Sequence, residues 1–143
     1  MRRHAGAIMS EKLVQDVMHK GVVTCPEDVA LPDAARLMAQ RSVRALVITD
    51  SNCGLRGILS QSDLVNARLE NADQDAWRKL TVSEVMTRAV LTVKPVDTLA
   101  AAAKTMVQNH IHRIVVVDDD DACNPVGILS MGDLVRDMMK DSE

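Results

Sequence analysis

One unit is written twice in this chain. Sliding residues 82–118 over 14–50, a shift of 68, needs no gap and gives twelve identities in 37 positions. Among them are Val17/Val85, Met18/Met86, Thr24/Thr92, Leu31/Leu99 and Met38/Met106. Two residues then enter the second copy, in and just beyond its acidic run 118–121, and the shift becomes 70. There GILSQSD (57–63) returns as GILSMGD (127–133), with seven of nine positions alike from Gly57/Gly127 through Val65/Val135. A copy of about 50 residues buries too little apolar surface to stand alone, so the two copies must contribute to one stable body.

Each copy reads as strand, helix, strand, strand, helix. A short apolar strand (Val22, Val23, Thr24; Val90, Leu91, Thr92) precedes a helix with apolar residues at helical spacing: Leu31, Ala34, Ala35 and Met38, then Leu99, Ala102, Ala103 and Met106. Thr98 suits the N-cap of the second helix, and Pro32 falls in the first turn of the first, where its missing N–H costs little. The β-branched runs 44–49 and 113–117 are too short for helices. Polar turns follow, then strands over 55–59 and 126–129, and helices opening at Ser60 and Ser130. Near-continuous apolar strands call for cover on both faces, which the two helices of each copy are expected to supply. The connector contains the single Trp77, whose ring is expected to anchor it onto the pair.

Composition narrows the functions available. There is no Phe or Tyr, and 17 Lys and Arg stand against 20 Asp and Glu, a net charge of −3. Stacking on rings over a basic groove, the usual way to hold single-stranded nucleic acid, has no material here. No apolar run approaches the roughly 20 residues needed to cross a bilayer. Cys25, Cys53 and Cys123 form no C-x-x-C pair, and with no secretory signal they read as free thiols of a cytoplasmic protein.

The repeated phrase G-I-L-S-x-x-D carries two readings. Serine at a helix N-cap can bond the backbone N–H three residues on, and aspartate at the third helical position is favoured in its ionised form by the helix end. Glycine before the strand end lets another group approach the backbone. Capping alone would account for one occurrence. An ionised carboxylate beside a hydroxyl at such a corner could equally accept from the two hydroxyls of a ribose, the task an acidic side chain performs in dinucleotide folds. The glycine-rich phosphate loops are absent, so a phosphate would be met by side chains, with Arg44, His112 and Arg113 entering the middle strands.

Together the paired V-M segments, the V-x-T strands, the alanine-rich helices, HRIVVVD (112–118) and the two G-I-L-S-x-x-D phrases resemble a tandem pair of CBS domains, the Bateman module. The likeness covers about residues 11–140: a first repeat over 11–70, a linker over 71–81 and a second repeat over 82–140. It implies an α/β (α+β) fold of two pseudo-twofold β-α-β-β-α repeats packed sheet to sheet, standing alone. It also implies clefts between the repeats for AMP, ADP, ATP or S-adenosylmethionine as a regulatory ligand, with no required cofactor. In one cleft Ser130 and Asp133 would meet the ribose, Val23 and Val43 the base, and Arg44 or His112 the phosphate. In the other Ser60 and Asp63 would meet the ribose, Leu91 and Ile111 the base, and His112 or Arg113 the phosphate. Ile58 and Ile128 belong to the same sites. Copy one has Arg44-Ala45 where the family's basic pair matches His112-Arg113, which sets its share of phosphate binding apart.

Other signals weigh less. His110 and His112 lack further ligands at zinc spacing, and 118–121 lacks the later glycine and glutamate of a calcium loop, so no metal is expected and a solvated hairpin tip is. Neither serine has a paired histidine, and no acid–base dyad appears, so no catalysis is expected. The helices near 65–69 and 134–139 carry enough apolar residues to serve a second subunit, and the resemblance implies a homodimer through them, signalling to a further protein. The competing expectation is a ligand-free dimerisation scaffold.

Overall fold

The computed structural model describes residues 11–52 and 54–141, with the side chain of Asp141 excepted. A 3₁₀ turn over Val14–Asp16 leads into β1 (His19–Lys20), β2 (Thr24–Pro26), α1 (Leu31–Arg41), β3 (Ala45–Thr49), β4 (Leu55–Ser60) and α2 (Gln61–Glu70). The connector forms α3 (Gln74–Lys79). Then come α4 (Val82–Val85), β5 (Thr92–Val93), α5 (Leu99–Gln108), β6 (Arg113–Val117), β7 (Pro125–Ser130) and α6 (Met131–Asp141). Two compact units result: Val22–Val90, and residues 11–21 with 91–141.

In the Val22–Val90 unit the sheet order is β2-β3-β4, with β2 parallel and β4 antiparallel to β3. Leu31, Ala34 and Met38, spaced for one face of α1, pack with Ala67 of α2 against Leu46, Ile48 and Leu59. Both helices therefore lie on one face of the sheet. This corrects the expectation that each copy's helices cover both faces. Ala45 and Val47, pointing the other way, are nonetheless buried. Pro32 sits in the first turn of α1 as expected, and the helix ends on Ser42 in the left-handed region (φ 54°). The Val43 N–H then bonds back to the Met38 carbonyl at 3.1 Å, closing the last turn.

The other unit repeats this plan. Leu99, Ala102 and Met106 of α5 pack with Leu134 of α6 on Ile114, Val116 and Leu129. Thr98 caps α5 by accepting from the Ala101 N–H, and His110 (φ 54°) ends it as Ser42 ends α1. His110 thus lies in a turn before β6. Its sheet gains one strand, β1, giving the order β1-β7-β6-β5.

The lead-in to each copy packs in the unit built from the other copy. Val82 is fully buried among Leu31, Met38 and Ile48, and Val14 among Leu99, Met106 and Ile114. Each burial contributes about 1.5–3 kcal/mol. Matching hydrogen bonds fix the lead-ins: the Leu31 N–H donates to Leu80 O, and the Leu99 N–H to Lys12 O, satisfying donors that a helix start leaves over. Leu80 and Lys12 correspond under the shift of 68. Trp77 of the connector is partly buried against the Val22–Val90 core.

Candidate functional site

The glycine of the repeated phrase is explained by the exchanged lead-ins. A Cβ on Gly57 would stand 2.7 Å from both Met86 Sδ and Thr87 O, and one on Gly127 would meet His19 O and Met18 Sδ. Ile58 exchanges backbone hydrogen bonds with Thr87, and β1 pairs antiparallel with β7, His19 opposite Ile128 and Lys20 opposite Gly127. Only glycine admits a neighbouring backbone this close.

Serine and aspartate form a reciprocal cap at each strand-to-helix corner. Ser60 Oγ accepts from the Asp63 N–H at 3.2 Å, while Asp63 Oδ2 accepts from the Ser60 N–H at 2.8 Å. Ser130 and Asp133 repeat this at 3.1 and 2.8 Å. The carbonyls of Arg44 and His112 hold the two corners from beside them, accepting from the N–H groups of Gln61 and Met131. Capping is therefore real at both corners.

Beyond the cap the corners differ. Asp63 is half-buried, and its Oδ1 has no hydrogen-bond partner among the described residues. Asp133 is 4% exposed, and its Oδ1 accepts from the Arg136 guanidinium at 2.5 Å while His19 Nε2 stands 3.0 Å away. Neither basic residue belongs to the repeated phrase. Arg136 was detectable, lying one helical turn beyond Asp133. His19 was not, because its approach depends on the exchanged lead-in.

The other expected site residues are accounted for unit by unit. Arg44, Ile58, Ser60 and Asp63 gather at the first corner, where Ala45 stands opposite Ser60. At the second corner His112, Arg113 and Ile128 gather with Ser130 and Asp133, and Arg113 stands opposite Ser130. Val23 and Val43 are partly buried against one core and Ile111 against the other, while Leu91 is 42% exposed.

Among the described residues no group of His, Cys, Asp or Glu is arranged to hold a metal ion, and no helix is long and apolar enough to cross a membrane. The acidic run 118–121 is a hairpin turn, with Asp118 and Asp121 carboxylates accepting from the Asp120 and Cys123 N–H groups. Cys25 is buried, and burial first and the charge of Asp28 second push its thiol up from the ordinary 9.0. A thiol kept protonated is a poor nucleophile. Cys53 lies outside the described residues.

Comparison with known proteins agrees with this architecture. The chain is 35% identical to arabinose 5-phosphate isomerase KdsD of Pseudomonas aeruginosa over 93% of its own length, but spans only 41% of that enzyme. It is similar to the solved CBS domain pair of protein MJ0100 in complex with 5′-methylthioadenosine and S-adenosyl-L-methionine (TM-score 0.80, 28% identity, 90% of this chain and 97% of that one). It is likewise similar to CBSX2 in complex with AMP (TM-score 0.77, 25% identity, 92% and 99%). The CBS domain family's sequence model matches residues 14–70 and again 82–140. The chain belongs to the CBS domain family and carries that domain twice.

Proposed function

We propose that this chain is a regulatory module that binds an adenosine-containing small molecule: AMP, ADP, ATP or S-adenosylmethionine. The observation carrying this reading is the Oδ1 of Asp63, unpartnered among the described residues, beside the Ser60 hydroxyl at a capped corner. A carboxylate oxygen without a partner among the described residues suits a ribose diol there. Complexes of MJ0100 and CBSX2 with adenosine compounds support the ligand class. The groupings implied by the resemblance carry into this reading unchanged, with Arg44, His112 and Arg113 for phosphate, Val23, Val43, Leu91 and Ile111 for the base, and Ile58 and Ile128 in the same sites. No catalytic role is proposed, and the isomerase's reaction is not carried over.

Ligand binding signals only by favouring one conformation or dimer geometry over another. Val65 and Leu69 on α2, and Val135 and Met138 on α6, are each more than half exposed. These helices are the proposed homodimer surface, through which a cytoplasmic protein partner would be addressed. Thermal melting with and without millimolar AMP, ATP and S-adenosylmethionine tests the reading, since a ligand of the native state raises the midpoint by mass action. A rise with at least one supports it; unchanged midpoints with all three overturn it.

The second reading is a ligand-free scaffold. It is favoured by the capping boxes, which already give Ser60, Asp63, Ser130 and Asp133 a structural task. It predicts midpoints that rise with protein concentration and ignore nucleotides.

A further inference from the structure

The two corners share a motif but differ in what surrounds the carboxylate. Under the shifts that superpose the copies, His19 corresponds to Thr87 and Arg136 to Asn66. At these two positions the second corner has basic side chains, where the first has an exposed threonine and an exposed asparagine. Both converge on Asp133 Oδ1, while Asp133 Oδ2 is committed to the Ser130 N–H. On α2 the one basic residue, Arg68, turns away and donates to the carbonyls of Asn71 and Ala72. Asp63 Oδ1 has no partner among the described residues.

We infer that this chain takes one adenosine-type ligand, at the Asp63 corner, and that Arg136 and His19 clamp the Asp133 corner shut against a second. The inference rests on the proposed function and adds to it a stoichiometry and two specificity-determining residues. A carboxylate oxygen that accepts from a guanidinium, with an imidazole nitrogen 3.0 Å away, has little room left for a diol, and a ligand there must first displace both side chains. Both basic side chains are well exposed, at 62% for Arg136 and 70% for His19, so substituting them removes the clamp with little loss of packing.

Titration calorimetry with AMP, ATP and S-adenosylmethionine, each separately, reads the outcome on four forms of the whole chain. Wild type is expected to bind one equivalent. Asp63→Asn keeps an acceptor for the Ser60 N–H but loses the charge, and is expected to weaken binding about tenfold or more. His19→Thr with Arg136→Asn moves the first corner's residues into the second and is expected to bind a second equivalent. Thr87→His with Asn66→Arg is expected to reduce binding at the first corner. Two equal sites in wild type, or undiminished binding by Asp63→Asn, overturns the inference. So does a folded His19→Thr/Arg136→Asn protein that still binds one equivalent. Wild type binding none of the three probes overturns the underlying reading, and with it this one.

Discussion

Lys12 Nζ lies 2.8 Å from Asp137 Oδ1, with the two side chains only 15% and 7% exposed. The corresponding residues of the Val22–Val90 unit are Leu80, packed against its core, and Ala67, which is buried. One unit thus holds an ion pair where its counterpart is apolar. Asp137 Oδ2 is buried without a hydrogen bond.

Breaking such a pair from one side leaves a buried charge uncompensated, whereas replacing both members by apolar residues is close to neutral. Lys12→Ala is expected to cost about 3 kcal/mol. Lys12→Leu with Asp137→Ala, which copies the other unit, is expected to stay within about 1 kcal/mol of wild type or exceed it. Urea denaturation midpoints check both. A double variant as unstable as the single one would contradict the ion pair's assigned role.

Gly57→Ala and Gly127→Ala each drive a methyl into the exchanged lead-in. A Cβ at Gly57 would meet the Thr87 carbonyl, and at Gly127 the His19 carbonyl, where backbone must move to give room. Each is expected to destabilise by about 1–3 kcal/mol. Gly21→Ala is a useful contrast, because no atom lies within 4 Å of its Cβ position; its penalty arises from φ 84° alone. Thermal denaturation of the three variants measures the difference.

Ser42 and His110 end α1 and α5 in the left-handed region without being glycine. Replacing either by glycine removes the Cβ conflict, against glycine's larger loss of chain entropy. A gain of about 0.5–1 kcal/mol per site is expected from the relieved left-handed backbone. Equilibrium unfolding of Ser42→Gly and His110→Gly reads it directly.

The raised Cys25 thiol makes stability fall at alkaline pH. Below 9.0 the thiol is protonated in folded and unfolded chains alike, and the native state keeps its full advantage. Above that value the unfolded chain releases the proton first, so stability falls until pH passes the higher folded value. Cys25→Ala is expected to flatten this alkaline loss, as measured by denaturation midpoints from pH 8 to about 10.5. Alkylation of the native protein at pH 7, mapped by mass spectrometry, should modify exposed Cys123 and leave Cys25 untouched.

Much of this architecture was legible in the repeat. β6 spans the residues read for it, and Ser60 and Thr98 cap helices where expected. The first strand of each copy begins later than read, at Thr24 and Thr92, because a short apolar run does not say where pairing starts. The helices' shared face escaped notice, since buried strands look apolar whichever element covers them. The exchanged lead-ins were invisible for a different reason: Val17-Met18 and Val85-Met86 are alike, so periodicity shows that they are buried but not in which unit. The His19 half of the contrast between Asp63 and Asp133 follows from that exchange and was hidden with it, whereas Arg136 stands in plain sequence view one helical turn beyond Asp133.

The most direct test is a crystal structure of the protein grown with AMP. The ribose hydroxyls should lie within hydrogen-bonding distance of Asp63 Oδ1, with the Asp133 carboxylate still held by Arg136 and His19. Nucleotide density at any place away from Asp63 would contradict the assignment, as would an Asp63 corner left without ligand both at saturating AMP and in crystals grown with ATP or S-adenosylmethionine.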